Sequence, residues 1–500
     1  MKKLAVTAVI LTGAILSTID ASAQYKTDEA IKEEGQLILD EVKKSNDQPV
    51  VISLEQALKI ALSENVSVKV ADMEVKRVEY AKKGSYAALF PQIDASGAYQ
   101  RTIKKQVMYM DFDMSSLMGG AAGGAGTEGA EGTGAPETST ESTESSSSGG
   151  GIEMGRWNTW SAGVTAAMPL VNAQLWQSLK ISGKDVELAI EKSRASKLDM
   201  ITQVKNAYFS VLLAKEVFDV YKQTYENALE NYDIVEKKYK AQKASELDKL
   251  RAEAAVKNAI PNVYNAEGSV ILALWQLKAV MGVNLDMNID VDGNLTEWSK
   301  YMVYDIKQYD GATLDMNTTM KQLAIQAEML AHSIKVQQYA NIPTLSLAFN
   351  FSLNAMTNDF KFSEYRWTPY SYAALSLNIP IFAGGKRHQA IRQAKNQYEQ
   401  LNLQIENTER QLKIAIRQQL NTMETSMKSY DSAYGAIATA DKAFKIVQQS
   451  FGVGRSTQVE VNDAQLALTQ ARLAASQAIF NFLTAKSQLE QIIGEASIEQ

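Results

Sequence analysis

The chain has 500 residues, of which 22% are charged and none is cysteine, and a formal net charge of −6. Without cysteine there can be no disulfides, thiolate catalysis, Cys-based metal sites or acylated N-terminal Cys. The mildly acidic balance gives no reason to expect nucleic acid as a partner. The length allows about two to four domains. After the N-terminal run, no segment reaches about 18 consecutive apolar residues, so no transmembrane helix is predicted. Any membrane crossing would have to be made by β-strands closed into a barrel, because an open sheet edge cannot sit in lipid.

Residues 1–23 read as a secretory signal peptide. Lys2 and Lys3 precede the apolar run Leu4–Leu16, and Ala21, Ser22 and Ala23 supply small residues before Gln24. Its removal takes away Lys2, Lys3 and Asp20, leaves a net charge of −7, and places the rest outside the cytoplasm. Residues 24–52 read as a polar periplasmic leader with some helix. Ser53 opens a helix whose stripe of Leu54, Ala57, Leu58, Ala61 and Leu62 continues through Val68, Ala71, Val75, Val78 and Ala81, until Pro91 stops it.

Gln92 to Thr102 then alternates, with Ile93, Ala95, Gly97 and Tyr99 on one side and Asp94, Ser96 and Gln100 on the other. The tract Gly119–Gly151 holds 11 of the 28 glycines and five glutamates, too little apolar surface to offset ordering. It is predicted to be disordered, within a loop over 104–156. Trp160, Ala162, Val164, Ala166 and Met168 mark a second strand that ends at Pro169. Two further alternating runs follow in 343–382. Leu345, Leu347, Phe349, Phe351 and Leu353 share one face of the first, and Ala373, Leu375, Leu377, Ile379 and Ile381 one face of the second. About 9–11 residues of such alternation fit either a soluble hairpin with one wet face or a tilted membrane strand.

Gln174 to about Lys240, and again 386–450, are rich in Leu, Ala, Lys and Glu and nearly free of Gly and Pro. In the second run Leu401, Ile405, Leu412, Ile416, Met423 and Met427 form a heptad-like seam. Each run of roughly 65 residues makes a rod of about 100 Å, which suits a coiled-coil assembly or a tunnel wall. Pro261 falls in the next helical stretch, where it should kink or break the helix.

The chain is a duplication. Pro169 to Pro380, Ala252 to Ala464 and Gly282 to Gly494 are offset by 211, 212 and 212 residues; Pro91 to Pro343 is offset by 252, longer by about the loop that only the first half carries. The reading divides into a first repeat over 53–282 with a hairpin over 91–169, an equatorial linker over 283–312, a second repeat over 313–494 with a hairpin over 343–382, and a tail over 495–500. Each hairpin leaves one helix and returns to another. Four strands cannot close a barrel, for which about eight is the practical minimum, so several copies must contribute strands.

At this point the sequence resembles the TolC-like outer-membrane efflux family. The resemblance runs from Ser53 to Gly494. It includes Leu54 through Ala61 and Asn65, Pro91 and Pro343, the run Pro380-Ile381-Phe382-Ala383-Gly384-Gly385, and Phe451-Gly452-Val453-Gly454 followed by Val459, Asp463 and Ala464. It implies a mainly α fold with membrane β: a trimeric 12-stranded β-barrel in the outer membrane of a Gram-negative bacterium, above a periplasmic α-helical barrel. It also implies a passive duct without enzyme activity or cofactor, docked to a periplasmic adaptor protein and a proton-driven or ATP-driven inner-membrane pump.

Carried across by position, the resemblance assigns a periplasmic aperture to Glu460 and Asp463 in the second half and Asp248 in the first. Adaptor docking falls to the turn at Val453 and Gly454. Its first-half counterpart, Ala241-Gln242, lacks the glycine. A basic residue that closes the tip in the family is Ser456 here, with Arg455 beside it. The opening helix carries Asn65-Val66 where many members have Asn-Pro. Glu460 and Asp463 share a helix face; in threefold copies they would ring a narrow pore and favour cations, while elsewhere such a pair is an ordinary solvated face.

Trp157, Trp160, Tyr99, Trp367, Tyr370 and Tyr372 lie near the hairpin tips; Trp160, Tyr99, Trp367 and Tyr370 are candidates for an aromatic belt at the barrel interface with outer-membrane lipid, or for core packing. Met108, Met110, Met114 and Met118, with Asp111 and Asp113, could offer a soft-metal site, or simply line the strand-to-loop border. His332 and His388 are isolated and cannot make a zinc site between them. No nucleophile–base set or phosphate loop is present. The competing class is a secreted or periplasmic helical coiled-coil structural or adhesive protein without a pore.

Overall fold

The computed structural model describes residues 50–108, 152–302 and 314–495. The signal peptide, residues 24–49 of the leader, the Gly/Ser/Glu tract, Met110, Met114, Met118, Asp111 and Asp113 lie outside the described residues, as do 303–313 and 496–500. The chain divides into two units: a helical unit of residues up to Ser85, Gln174–Tyr339 and from Ala383, and a strand unit of Tyr86–Ala173 and Ala340–Phe382.

The helical unit opens with β1 (Val50–Ile52) and α1 (Leu54–Glu64). Ser53 caps α1 in a capping box. Its hydroxyl accepts from the Gln56 backbone N–H, and the Gln56 side chain accepts from the Ser53 N–H at 2.9 Å. The predicted single opening helix is in fact two, with a break at Asn65 before α2 (Val66–Tyr86). Asn65 takes an extended backbone, φ −60° and ψ 128°, and its Oδ1 accepts from the Ser67 and Val68 N–H groups, so it ends one helix and caps the next.

Two long helices follow the strand segments: α3 (Ala173–Lys240) and, in the second half, α6 (Lys386–Gly452). They are paired in sequence with the shorter α4 (Glu246–Met281) and α7 (Gln458–Ile493). The α6 seam is as expected: Leu401, Ile416 and Met423 are buried, and Ile405, Leu412 and Met427 half-buried. In α4 the buried alanines Ala252, Ala259, Ala266 and Ala273 recur every seven residues, and side chains this small permit close helix approach. Of the kink or break expected at Pro261, the break does not occur. α4 remains one helix across the exposed proline, with Ala259 and Ala266 buried on either side. The missing bond costs about 3 kcal/mol, which the packed flanks tolerate.

The stretch expected to be a plain linker contributes β6 (Ile289–Val291), which pairs in parallel with β1, and a 3-10 segment at Leu295–Met302. The Tyr208 hydroxyl ties this pair to α3, donating to the carbonyls of Asp292 at 2.8 Å and Ile52 at 3.3 Å. Burial first, and the nearby Asp292, push the Tyr208 pKa up to about 12, so the phenol stays a donor at any physiological pH. Around it, Ile52, Leu58, Ile60, Val204, Phe209, Leu277, Met281 and Phe482 form the main core of the unit. Each fully buried side chain of this size contributes about 1.5–3 kcal/mol.

The two halves are closed in the same way. Gly282 and Gly494 end α4 and α7 with left-handed backbones, φ 76° and 85°. Against Gly282 packs Glu64–Asn65, and against Gly494 packs Met316–Asn317. The Asn65 amide donates to the Val280 carbonyl at 2.7 Å, and the Asn317 amide, at the start of α5 (Thr318–Tyr339), to Ile492 at 2.6 Å.

The strand unit is a four-stranded antiparallel sheet in the order β2 (Gln92–Arg101), β5 (Asn158–Val171), β7 (Thr344–Thr357), β8 (Thr368–Asn378). A short ribbon of β3 (Gln106–Met108) and β4 (Ile152–Met154) extends the first hairpin. The second strand does not stop at Pro169. There β2 has already ended, with Gln92 opposite Ala167, so a missing N–H on that side breaks no ladder. Ile379 and Ile381, expected on the last strand, lie beyond its end at Asn378, because Pro380 cannot donate to the ladder.

Candidate functional site

In the helical unit, the two helix pairs end in turns at 241–245 and 453–457, and these turns superpose in hydrogen bonding residue for residue. Ala241 N–H donates to Lys237, Gln242 to Tyr239 and Lys243 to Lys238; Val453 donates to Gln449, Gly454 to Phe451 and Arg455 to Ser450. Gly454 sits at φ 81°, and Gln242 at φ 58° is the one described non-glycine residue with positive φ. The missing glycine in the first half therefore changes the strain and not the shape of the turn. A left-handed non-glycine residue costs about 1–2 kcal/mol. Gln242→Gly should raise stability by about 1 kcal/mol in denaturant unfolding; no gain would mean that the turn is unstrained.

Beyond each turn a capping box starts the next helix. In the first half the Ser245 N–H and Oγ donate to the Asp248 carboxylate at 3.3 and 2.7 Å; in the second the Thr457 N–H donates to Glu460 at 2.9 Å. Asp248 and Glu460, expected at an aperture, are thus the N3 partners of helix caps, where a negative charge also suits the helix dipole. Asp463 lies one turn further along α7 and is exposed. Arg455 is exposed and forms no ion pair with Glu460 or Asp463 among the described residues. Val453 is exposed at the apex, 73% accessible.

Between the two turns lies a second small core of Val235, Ala252, Phe444, Phe451, Val461 and Leu468. Lys238 bridges the halves here: its Nζ donates to the Phe451 carbonyl and lies 4.2 Å from the Phe451 ring centroid. Burial lowers its pKa. Lys238 escaped the sequence reading because it lies in a run of lysines on an otherwise solvated helix end.

The sheet of the strand unit has two unlike faces. Register places Ile93, Val164, Phe349, Phe351, Leu347, Leu375 and Leu377 on one side and Ser96, Thr165, Asn350, Ser352 and Ser376 on the other. The apolar side is exposed: Ile93 is 69% accessible, Leu375 65% and Phe349 46%. Among the described residues β2 and β8 each pair on one side only, so the sheet has two open edges.

Tyr99 and Trp160 pair across strands on the apolar side, ring centroids 4.4 Å apart, and the cluster continues through Phe362, 5.7 Å from Trp160, to Trp367, 5.8 Å from Phe362. Tyr370 and Tyr372 are not with them. They pair with Ser352 and Asn350 on the polar side and stack on each other at 5.6 Å. His332 meets Gln177 in the helical unit, and burial, followed by Lys335, Lys180 and Lys184, lowers its pKa. No group of three or more His, Asp or Glu that could hold a metal occurs among the described residues.

Comparison with known proteins bears on both places. A family model described as "Outer membrane efflux protein" matches residues 135–283 and 311–495. Outer membrane protein TolC of Vibrio cholerae is 22% identical over 345 residues, covering 67% of this chain and 77% of the relative. The alkaline protease secretion protein AprF of Pseudomonas aeruginosa is 18% identical over 335 residues, 66% of this chain and 69% of the relative. Among solved structures, the CmeC outer membrane channel of Campylobacter jejuni shares the fold with a TM-score of 0.65 at 16% identity, over 89% of this chain and 87% of that one.

Proposed function

Because the chain belongs to the outer membrane efflux protein family, and so to the outer membrane, we propose that it is the passive exit duct of a tripartite efflux or secretion machine. Three copies close a 12-stranded barrel, and their long helices form a periplasmic tunnel. The observation that carries this reading is the four-stranded sheet with an exposed apolar face and two open edges. Open edges cannot face lipid, so β8 of one copy pairs with β2 of the next until the ring closes. The polar face, including Tyr370 and Tyr372, then lines the water-filled lumen, and Tyr99, Trp160 and Trp367 mark the aromatic belt.

The tunnel entrance is formed by the two tip turns. Their matching backbones make Ala241-Gln242 as suited to a periplasmic adaptor as Val453-Gly454, and the adaptor links the duct to an inner-membrane pump. Glu460 and Asp463, with Asp248, set rings of negative charge there, and Asp463 is free to act on passing ions because no cap engages it. The test is conductance in planar bilayers. Wild-type protein, extracted in detergent as a heat-sensitive trimer, should conduct and prefer cations. Glu460→Gln with Asp463→Asn should cut that preference severalfold, the rings being the dominant local charge. Unchanged selectivity removes the aperture assignment. A water-soluble product without conductance favours the coiled-coil rod without a pore.

A further inference from the structure

We propose that the helix ends joined to the strands form a cationic belt that binds the phosphate groups of anionic phospholipids in the periplasm-facing leaflet of the outer membrane. Four helix ends meet the strand segments: the C-termini of α2 and α5 and the N-termini of α3 and α6. Their terminal ten residues, 77–86, 330–339, 173–182 and 386–395, carry nine Lys and Arg against one acid, Glu79. The next ten residues of each helix, 67–76, 320–329, 183–192 and 396–405, carry five against seven. The positive excess is therefore confined to these ends. All of these residues are described, and the stretches that are not join the helical unit elsewhere, at Val50, Met302, Leu314 and Glu495.

The ends converge within the helical unit. Ser182 Oγ of α3 donates to Ser85 Oγ of α2 at 3.2 Å, and Gln174 Nε2 of α3 to the Val336 carbonyl of α5 at 3.2 Å; α5 packs on α6. Burial first, then Lys335, Lys180 and Lys184 from the two helices, disfavour protonation of His332. Lys83, Lys180, Lys335, Lys386, Arg392 and Lys395 are exposed and form no ion pair among the described residues. Further along, cations are matched. Lys184 holds Glu187 and Glu328 at 2.7 and 2.8 Å, and Lys413, Lys428 and Lys445 on α6 each hold the acid one turn earlier at 2.6 Å. Lys386 and Arg387 also open α6, where the helix dipole disfavours cations, so helix stability does not account for them.

Chain order fits a lipid better than a free anion. From the belt into the strands, residues 87–93, 168–172, 340–345 and 377–385 carry no charge. Phe90, Ile381 and Phe382 among them are 65%, 90% and 86% accessible, and Lys386 follows Phe382 by four residues. Apolar strand, exposed uncharged connector and cation therefore succeed one another as acyl chain, interface and headgroup do in a bilayer leaflet.

The inference rests on the membrane-spanning reading of the sheet. The test reconstitutes the full-length protein into vesicles of equal phosphatidylglycerol and phosphatidylcholine, re-extracts it in mild detergent and measures the lipid it retains. Wild type should retain phosphatidylglycerol at least about fivefold over phosphatidylcholine, and added salt should erase the preference. The variant Lys335→Gln, Lys386→Gln, Arg392→Gln should retain the two lipids nearly equally, since each cation near the surface is worth about fivefold in affinity. The charge-matched variant Lys413→Gln, Lys428→Gln, Lys445→Gln should keep the wild-type preference. Equal retention by wild type, a salt-independent preference, a belt variant that behaves as wild type, or equal losses in the two variants overturns the proposal. Displacement of the lipid by inorganic phosphate or poly-glutamate at equal charge also overturns it, in favour of a free anion or an acidic protein. A protein recovered from water without detergent defeats the barrel reading itself; one that inserts and retains both lipids equally defeats this inference alone.

Discussion

Gly494→Ala is expected to destabilise the helical unit by about 3–4 kcal/mol, the first of two large stability effects built into the fold. Gly494 ends α7 at φ 85°, and a Cβ there would lie 2.2 Å from the Met316 carbonyl oxygen. The left-handed backbone alone costs a side chain about 1–2 kcal/mol, and overpacking typically adds about 1–3 kcal/mol. The clash is with backbone that cannot swing away, because Asn317 is tied to α7 through Ile492 and caps α5 through the Met320 N–H at 2.8 Å. Gly435 supplies the control. It lies within α6 with nothing within 4 Å of a Cβ, so Gly435→Ala should stabilise by about 1 kcal/mol. Urea unfolding of the two variants side by side checks the pair; a Gly494→Ala loss no larger than 1 kcal/mol would falsify the close-packed junction.

Lys205→Ala should cost about 3 kcal/mol, the range for breaking a buried ion pair from one side. The Lys205 side chain is 1% accessible and its Nζ lies 2.9 Å from Glu490 Oε2. Glu490 is held at the same time by its place at the end of α7, where its carbonyl accepts from the Gly494 N–H at 3.0 Å. Truncation leaves a carboxylate that is only 18% accessible facing apolar surroundings, with Lys486 at 3.9 Å as a weaker partner. The double variant Lys205→Met with Glu490→Met should recover most of the loss, since apolar replacement of a whole buried pair is often neutral. If the double variant is as unstable as the single one, packing of the lysine stem, and not charge, holds α3 to α7.

The large features of the fold were legible because they are periodic. Alternation over Leu345–Leu353 and Leu375–Leu377 gave the apolar face of the sheet, and freedom from Gly and Pro gave α3 and α6. The junctions were less so. Asn65 stands out in the sequence only as a landmark of the family resemblance, and its role at the helix break appears only when its amide meets the Val280 carbonyl, 215 residues away. The pairing of β1 with β6 is equally remote in sequence, and strands of three residues carry no period to detect.

At the tip, the capping boxes were visible as Ser245…Asp248 and Thr457…Glu460, a Ser or Thr followed by an acid at the third residue. That local signal gives Asp248 and Glu460 a structural duty that family resemblance alone passed over. Gln242 carried no such signal. Nothing in a glutamine announces a left-handed backbone; only the 212-residue offset to Gly454 pointed there.

The sequence by itself determined the duplicated order of elements and the two faces of the sheet, which follow from repeated spacing and periodicity along the chain, while its motifs carried the resemblance that implied the family and its outer-membrane location. The tertiary structure alone decided where the opening helix breaks, that both tip turns share one backbone, and how Lys238 and Lys205 tie the halves together. These depend on groups brought together from far apart in the chain, through backbone carbonyls that every residue possesses and no local pattern distinguishes.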